Sequence, residues 1–337
     1  MSFSPIELRN YLRRHKGFAS STIRDILRVL SWKLSGKKIA VVTTGSGGVG
    51  DYLWIRNYFP IIRQHGYKVI LIAMSHWKEI VEAFDKEETD VVRYFESCLS
   101  PKSIECIFFK LFKTDVFLNF RKECMANIIR CKVEYNDAGV PFDIFYEERN
   151  NATFTKFIPL SNNFKHALPI IEPPVKIDNY VLLVEGGNTQ GKLSDEQLIT
   201  IINHLAGKHY QILFNGDYKH ICTNLTPKVE KLLINGRNYS FPQYTWLVAH
   251  ARIVVTVNTS LYHFALQLNR PCVVISCNEY HTLKLHQPNQ EYVFNETLDQ
   301  MYRDNTLKKY HKNNLLKIKD ISVKKIIFAI DNILLSH

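Results

Sequence analysis

Short, uninterrupted apolar runs alternate with amphipathic segments along this chain, and the alternation begins twice. The first series opens with Lys38–Thr44 and continues through an amphipathic stretch at Tyr52–His65, then Lys68–Met74 and His76–Phe84. Asp90–Phe95 and Asp115–Phe120 (DVFLNF) extend it as strands, with a helix near Glu123–Arg130. Runs that are apolar on both faces read as strands covered from both sides. Helices interleaved between them make the sheet parallel, since parallel neighbours need a crossover. Residues 136–179 lose this periodicity and carry Pro141, Pro159, Pro169, Pro173 and Pro174, so the Pro pair in IEPPVKIDN marks a linker. The pattern restarts with the strand Tyr180–Glu185 (YVLLVE) and the helix Ser194–Ala206, where Ser194 and Gln197 have capping-box spacing. Tyr210–Phe214 is a strand, Thr226–Ile234 and Gln243–His250 are helices, and Arg252–Val257, Thr259–Leu268 and Pro271–Ser276 form a strand–helix–strand unit before a last helix at Val323–Leu335. An α/β fold of two parallel-sheet domains follows. Ligands in such sheets bind beyond the carboxyl ends of the strands, so two facing halves would enclose a cleft.

The 337 residues suffice for two cores, and 46% hydrophobic with 22% charged residues excludes wholesale disorder, collagen and a disulfide mini-scaffold. No run approaches the ~18 apolar residues of a spanning helix, and the N-terminus lacks a signal-peptide core, so the reading is a cytosolic protein. The cysteines at 98, 106, 124, 131, 222, 272 and 277 include no C-x2-C pair and read as buried thiols, with no metal site expected.

Charge is unevenly placed. Residues 1–38 hold nine Lys/Arg and two acids, which is +7 of the chain's +11. Two short helices are expected there, near 5–16 and 20–34, the second with Ile23, Ile26, Leu27, Leu30 and Leu34 at helical spacing. Such a stripe suits either a basic amphipathic element on an anionic membrane surface or a helix packed on the first domain with a solvated basic face. No aromatic-basic nucleic-acid module is present, and no nucleic-acid partner is expected.

Three segments carry chemistry. In TTGSGGVGDYLWIRNYF, Gly45, Gly47 and Gly50 match G-x-G-x-x-G between a strand and a helix. The next strand ends Ala73-Met74-Ser75 without the ribose-binding acid of a dinucleotide site, which disfavours NAD. Asp51 directly follows the glycines. It is either a first-turn acid meeting the helix dipole or a carboxylate aimed at substrate as a general base. In EGGNTQGKLSDEQ, two glycines, Thr189 and Lys192 precede a helix and could cradle a phosphate, although the G-K-[ST] of a P-loop is missing; a solvated loop with a surface lysine is the alternative. In ARIVVTVNTSLYHFALQLNRPCVVIS, the turn Asn258-Thr259-Ser260 puts backbone amides at a helix N-terminus; Asn258 could be a plain N-cap, and His263 a satisfied histidine on the inner face.

In this order, the three segments resemble the bacterial lipopolysaccharide heptosyltransferase family (glycosyltransferase family 9), over roughly residues 37–335. The resemblance implies the GT-B fold, two Rossmann-like parallel-sheet domains facing across a cleft. After a basic helical extension at 1–36, a lead longer than the usual family start, it implies an acceptor domain at 37–172, a nucleotide-sugar domain at 173–320 and a C-terminal helix at 321–337. It further implies an inverting, metal-independent transfer of a sugar, a heptose from an ADP-activated donor, to a lipopolysaccharide or lipooligosaccharide core. Asp51 would be the base, with Gly48 and Gly50 in its loop. Gly187, Thr189, Lys192, Asp217, Asn258, Thr259, Ser260 and His263 would bind the donor. Partners would be the nucleotide sugar, a lipid-linked acceptor and, through residues 1–38, an anionic membrane surface; no cofactor is implied, and the enzyme would be cytoplasmic or peripheral on the inner membrane. Two departures from the family motif stand out: Asn258 replaces an Asp and Ser260 a Gly. They leave room for a different nucleotide sugar serving a capsule or glycoprotein acceptor, or for a non-catalytic binding protein of the same fold.

Overall fold

The structure, a computed structural model, describes residues 23–43, 49–95, 115–119, 131–132, 167–187, 191–276, 289–295, 297, 300 and 317–336. Among these, residues 23–43, 54–95, 115–119 and 131–132 form one unit, and residues 49–53 cluster with everything from 167 onward in a second. The helices expected at 5–16 and 123–130 lie outside the described residues.

The first unit contains α1 (residues 23–34), β1 (Lys38–Thr43), α2 (Val49–Ile55, its first five residues clustering with the second unit), α3 (Phe59–Gln64), β2 (Tyr67–Met74), α4 (Lys78–Phe84), β3 (Val91–Phe95), β4 (Val116–Asn119) and β5 (Cys131–Lys132). The sheet runs β3-β2-β1-β4-β5, every pair parallel, with Lys38 opposite Tyr67 and Ala40 opposite Val116. Where one helix over 52–65 was expected, α2 passes through a 3-10 turn at Arg56–Tyr58 into α3. The cause is Pro60, which lacks the N–H that would continue the α-helical ladder and is tolerated only in a first turn. Gly66, at φ +80°, then reverses the chain into β2.

Helix α1 sits mostly with a face other than its expected stripe turned inward. It packs on the sheet through Val29, which is fully buried with Ile39, Val41, Ile70, Ile72 and Val91, while Ile26 and Trp32 sit alongside. Arg93 pairs with Asp25 at 2.9 Å and Lys33 with Asp115 at 3.1 Å, fixing the helix's rotation. That rotation turns most of the expected stripe outward: Ile23, Leu27, Leu30 and Leu34 are 59, 61, 40 and 89% exposed.

The second unit contains β6 (Tyr180–Val184), a two-residue hairpin of β7 (Gly186–Gly187) and β8 (Gly191–Lys192), α5 (Asp195–Gly207), β9 (Gln211–Asn215), α6 (Tyr218–Cys222), α7 (Pro227–Glu230), β10 (Leu233–Asn235), α8 (Tyr244–His250), β11 (Ile253–Val257), α9 (Ser260–Gln267), β12 (Cys272–Ile275), β13 (Gln290–Val293) and α10 (Val323–Ser336). All six strands of its sheet are parallel, in the order β10-β9-β6-β11-β12-β13. Counted along the chain within this sheet, the order is 3-2-1-4-5-6. The expected helix at 226–234 is corrected here: only Pro227–Glu230 is helical, and Leu233–Asn235 is an edge strand beside β9. Three residues are too few to show a period of two, so nothing in the sequence separates them from the helix before them. Ile201, Ile202 and Leu205 of α5 and Ile326, Ile330 and Ile333 of α10 join one core with the sheet. The capping box forms, with Gln197 N donating to Ser194 Oγ at 3.2 Å and Ser194 N to Gln197 Oε1 at 2.8 Å. The buried Gln197 amide also donates to the carbonyls of Ile318 and Ile321, tying α5 to the start of α10.

Candidate functional site

Strand order decides where this site lies. From β6 the chain moves outward to β9 and β10, and from β11 it moves the other way to β12 and β13, yet β6 and β11 are hydrogen-bonded neighbours. Connections leaving in opposite directions open a crevice at the carboxyl ends of these two strands. Beyond β6 come Glu185, Gly186 and Gly187; beyond β11 come Asn258, Thr259 and Ser260.

The two turns meet. A Cβ on Gly187 would lie 2.7 Å from Thr259 Cγ2 and 3.7 Å from the Asn258 carbonyl oxygen, so only glycine fits. Thr259, not Asn258, is the N-cap of α9: its backbone is extended and its Oγ1 accepts from Leu261 N at 3.3 Å. The same hydroxyl lies 3.1 Å from Thr256 Oγ1, which donates to the Val257 carbonyl, so the Thr259 rotamer is held from two sides. Asn258 is buried beneath the turn, and Ser260 is the first residue of α9.

The glycine segment after β6 folds back as a hairpin rather than running directly into a helix. Gly191 adopts φ +87°, and Gly186 faces Gly191 and Lys192 so closely that a Cβ there would sit 2.7 Å from the Gly191 carbonyl oxygen. The hairpin returns Lys192 to Glu185, with Nζ 2.8 Å from Oε1. The other Glu185 oxygen accepts from Asp217 N at 2.7 Å, in the turn after β9. Gly216 makes room for it, since a Cβ there would lie 2.5 Å from Glu185 Oε2. The Asp217 carboxylate points into its own helix, where Oδ1 accepts from His220 N at 3.3 Å. Glu185 is not among the residues that the sequence motifs single out. Its signal was an acid ending an otherwise apolar strand, directly before two glycines.

His263 lies one turn into α9, and its ring meets Gly50 near the start of α2: a Cβ on Gly50 would be 2.3 Å from Cδ2. Gln267 Nε2 donates to the Leu53 carbonyl at 3.1 Å, a second tie between α9 and the 49–53 segment. Burial lowers the His263 pKa to about 4, so the imidazole is neutral at pH 7. Asp51 follows Gly50 in α2. Gly48 and Thr189 lie outside the described residues. Thus the structure brings Gly187 to Asn258 and Thr259, Lys192 to Glu185 and the Asp217 turn, and Gly50 to His263. Among the described residues no cluster of three His, Cys, Asp or Glu could hold a metal ion, and no helix is long and apolar enough to cross a membrane.

Two parallel-sheet units, the second in 3-2-1-4-5-6 order with glycine-lined turns at its crevice, make this the GT-B fold of glycosyltransferases. Solved structures that share it include E. coli ADP-heptose LPS heptosyltransferase II, with a TM-score of 0.64 and 14% identity over 89% of this chain and 99% of that one. A family 9 glycosyl transferase from Veillonella parvula follows, with a TM-score of 0.62 and 11% identity over 89% and 98%. E. coli heptosyltransferase WaaC, solved with ADP, has a TM-score of 0.51 and 13% identity over 89% and 100%. The sequence matches no protein-family model and no curated protein. At such identities the likeness establishes the fold.

Proposed function

We propose that this chain is a glycosyltransferase that moves a sugar, with inversion, from a nucleoside-diphosphate donor to an acceptor hydroxyl. The observation that carries this reading is the apposition of Gly187 and Thr259 at the β6/β11 crevice, with Lys192 returned to the same strand end. The N-terminal turn of α9, a glycine-lined hairpin and an ammonium make up a donor set suited to a diphosphate. In the reaction, the acceptor oxygen forms a bond to the sugar's anomeric carbon as its proton passes to the Asp51 carboxylate. The bond from that carbon to the diphosphate breaks, and the electron pair leaves with the nucleotide. Gly187, Thr189, Lys192, Asn258, Thr259 and Ser260 hold the departing charge, and Asp217 sits in the turn facing the nucleoside. The uncharged His263 contributes through shape, its ring packed against Gly50, the residue of α2 that precedes the base.

The finer reading follows the heptosyltransferase neighbours: a heptose from an ADP-linked donor, transferred to a lipid-linked core saccharide. The outward stripe of α1, flanked by exposed Arg24, Lys37 and Lys38, suits an anionic bilayer surface where such an acceptor resides. The decisive experiment incubates purified protein with ADP-activated heptose and lipid-linked acceptor and weighs the product by mass spectrometry. Transfer by wild type and its loss in D51A is expected, and undiminished transfer by D51A removes the base assignment. Flotation with vesicles containing phosphatidylglycerol tests the surface: L27S/L30S should float less than wild type, and equal flotation rejects this face. Asn258, standing where the family motif has an acid, favours a second reading in which the donor carries another nucleotide. Greater thermal stabilisation by GDP, UDP or CMP than by ADP would select it.

A further inference from the structure

We propose that Glu185 is a built-in competitor for the donor's diphosphate, a carboxylate that occupies Lys192 while the site is empty and gives it up when the donor arrives; this rests on the reading of Lys192 as a diphosphate ligand. A carboxylate at the head of an anion-binding crevice repels the ligand the crevice is built for, unless its charge is engaged elsewhere. Glu185 is engaged on both oxygens, by Lys192 Nζ at 2.8 Å and by Asp217 N at 2.7 Å. The two partners differ. The Asp217 amide belongs to a turn whose Gly216 is moulded around the carboxylate, and the Glu185 side chain is only 13% exposed, so that bond is part of the fold. Lys192 is 63% exposed on a two-residue hairpin, so its bond is weak, screened and exchangeable. One oxygen therefore anchors Glu185, while the other parks the lysine at the strand end next to Gly187 and Thr259. A diphosphate, bearing more charge than a carboxylate, draws the ammonium away by a short swing of a flexible side chain. The consequence is an affinity held below what Lys192 alone would give, which favours release of the nucleotide product.

The test is calorimetric titration of full-length protein with pyrophosphate and with ADP, at about 50 mM and about 500 mM salt. E185Q keeps an oxygen for the Asp217 amide and removes the competing charge. It should bind both probes about threefold to fivefold more tightly than wild type at low salt, with the gain shrinking at high salt. K192Q should bind more weakly, and E185Q/K192Q should bind like K192Q. Tightening is the outcome that a purely structural role for Glu185 does not produce, since a disturbed turn weakens binding. Weaker binding by E185Q, with its melting temperature unchanged, overturns the proposal. So does a gain that persists undiminished in the K192Q background, which would mean plain repulsion. If K192Q binds as wild type does, the lysine assignment itself is wrong; if neither wild type nor E185Q binds either probe, the nucleotide-sugar reading falls as well.

Discussion

Replacing Gly187 with alanine tests the heart of the site, because its cost can be worked from the atoms involved. The new methyl would stand 2.7 Å from Thr259 Cγ2, about an ångström inside ordinary carbon–carbon contact. Either the hairpin backs away or Thr259 turns about χ1. If Thr259 turns, its hydroxyl leaves Leu261 N and Thr256 Oγ1, and α9 loses its N-cap. Loss of a cap costs about 1 kcal/mol, and overpacking of a well-filled site costs about 1–3 kcal/mol. The cheaper escape wins, so G187A should lose about 1–2 kcal/mol in urea unfolding of the transition that reports the second unit. Nucleotide affinity should fall with it, because either escape spoils the alignment of hairpin and helix start. The second substitution that makes the argument specific is T259S, which deletes the clashing methyl but keeps the capping hydroxyl. G187A/T259S should recover most of the loss, an interaction energy of about 1 kcal/mol in the double-mutant cycle. A G187A protein as stable as wild type, or a loss that T259S leaves untouched, would refute the contact as the reason for glycine at this position.

Two further outcomes concern ionisable groups buried inside the protein. The His263 pKa of about 4 lies below the unfolded value of about 6.5, so the unfolded chain binds the extra proton between these values. The stability this imidazole permits is complete above about pH 6.5 and drains away as pH falls toward 4. Wild type should therefore lose about 2–3 kcal/mol more than H263Q between pH 7.5 and 4.5 in denaturant melts, and parallel pH profiles would contradict the assignment. In the first unit, Arg56 and Asp85 form an ion pair at 2.9 Å with both side chains fully buried. R56M strands the carboxylate and should cost about 3–5 kcal/mol, whereas R56M/D85L, which removes both charges, should be markedly more stable than R56M. A double variant no better than the single one would show that packing, not charge, is at stake.

Residues that bury both faces were legible from the sequence. YVLLVE and RIVVTV read as strands because apolar residues fill both faces almost throughout, with Thr256 the one interior polar residue, and both are buried central strands. Edges were harder. Leu233–Asn235 and Gln290–Val293 are short, and the second carries Gln290 and Glu291 among its four residues, so neither bears a pattern that survives without its neighbour strand. Helix α1 shows the limit of periodicity in another way: Ile26 and Leu27 are adjacent, one packed on the sheet and one in solvent, and ion pairs to Arg93 and Asp115 determine which.

The amino-acid sequence by itself determined that two parallel α/β units would form and that a glycine segment would follow the first strand of the second, because those features depend on neighbours along the chain. It also supplied the candidate ligands by type. Only the tertiary structure decided their company: that Gly187 abuts Thr259, that Lys192 is held by Glu185, that Asp217 caps its own helix, and that His263 is uncharged. The physical reason is that each of these is set by strand order and by contacts between segments tens of residues apart, where a few tenths of an ångström and the exclusion of water fix both geometry and charge.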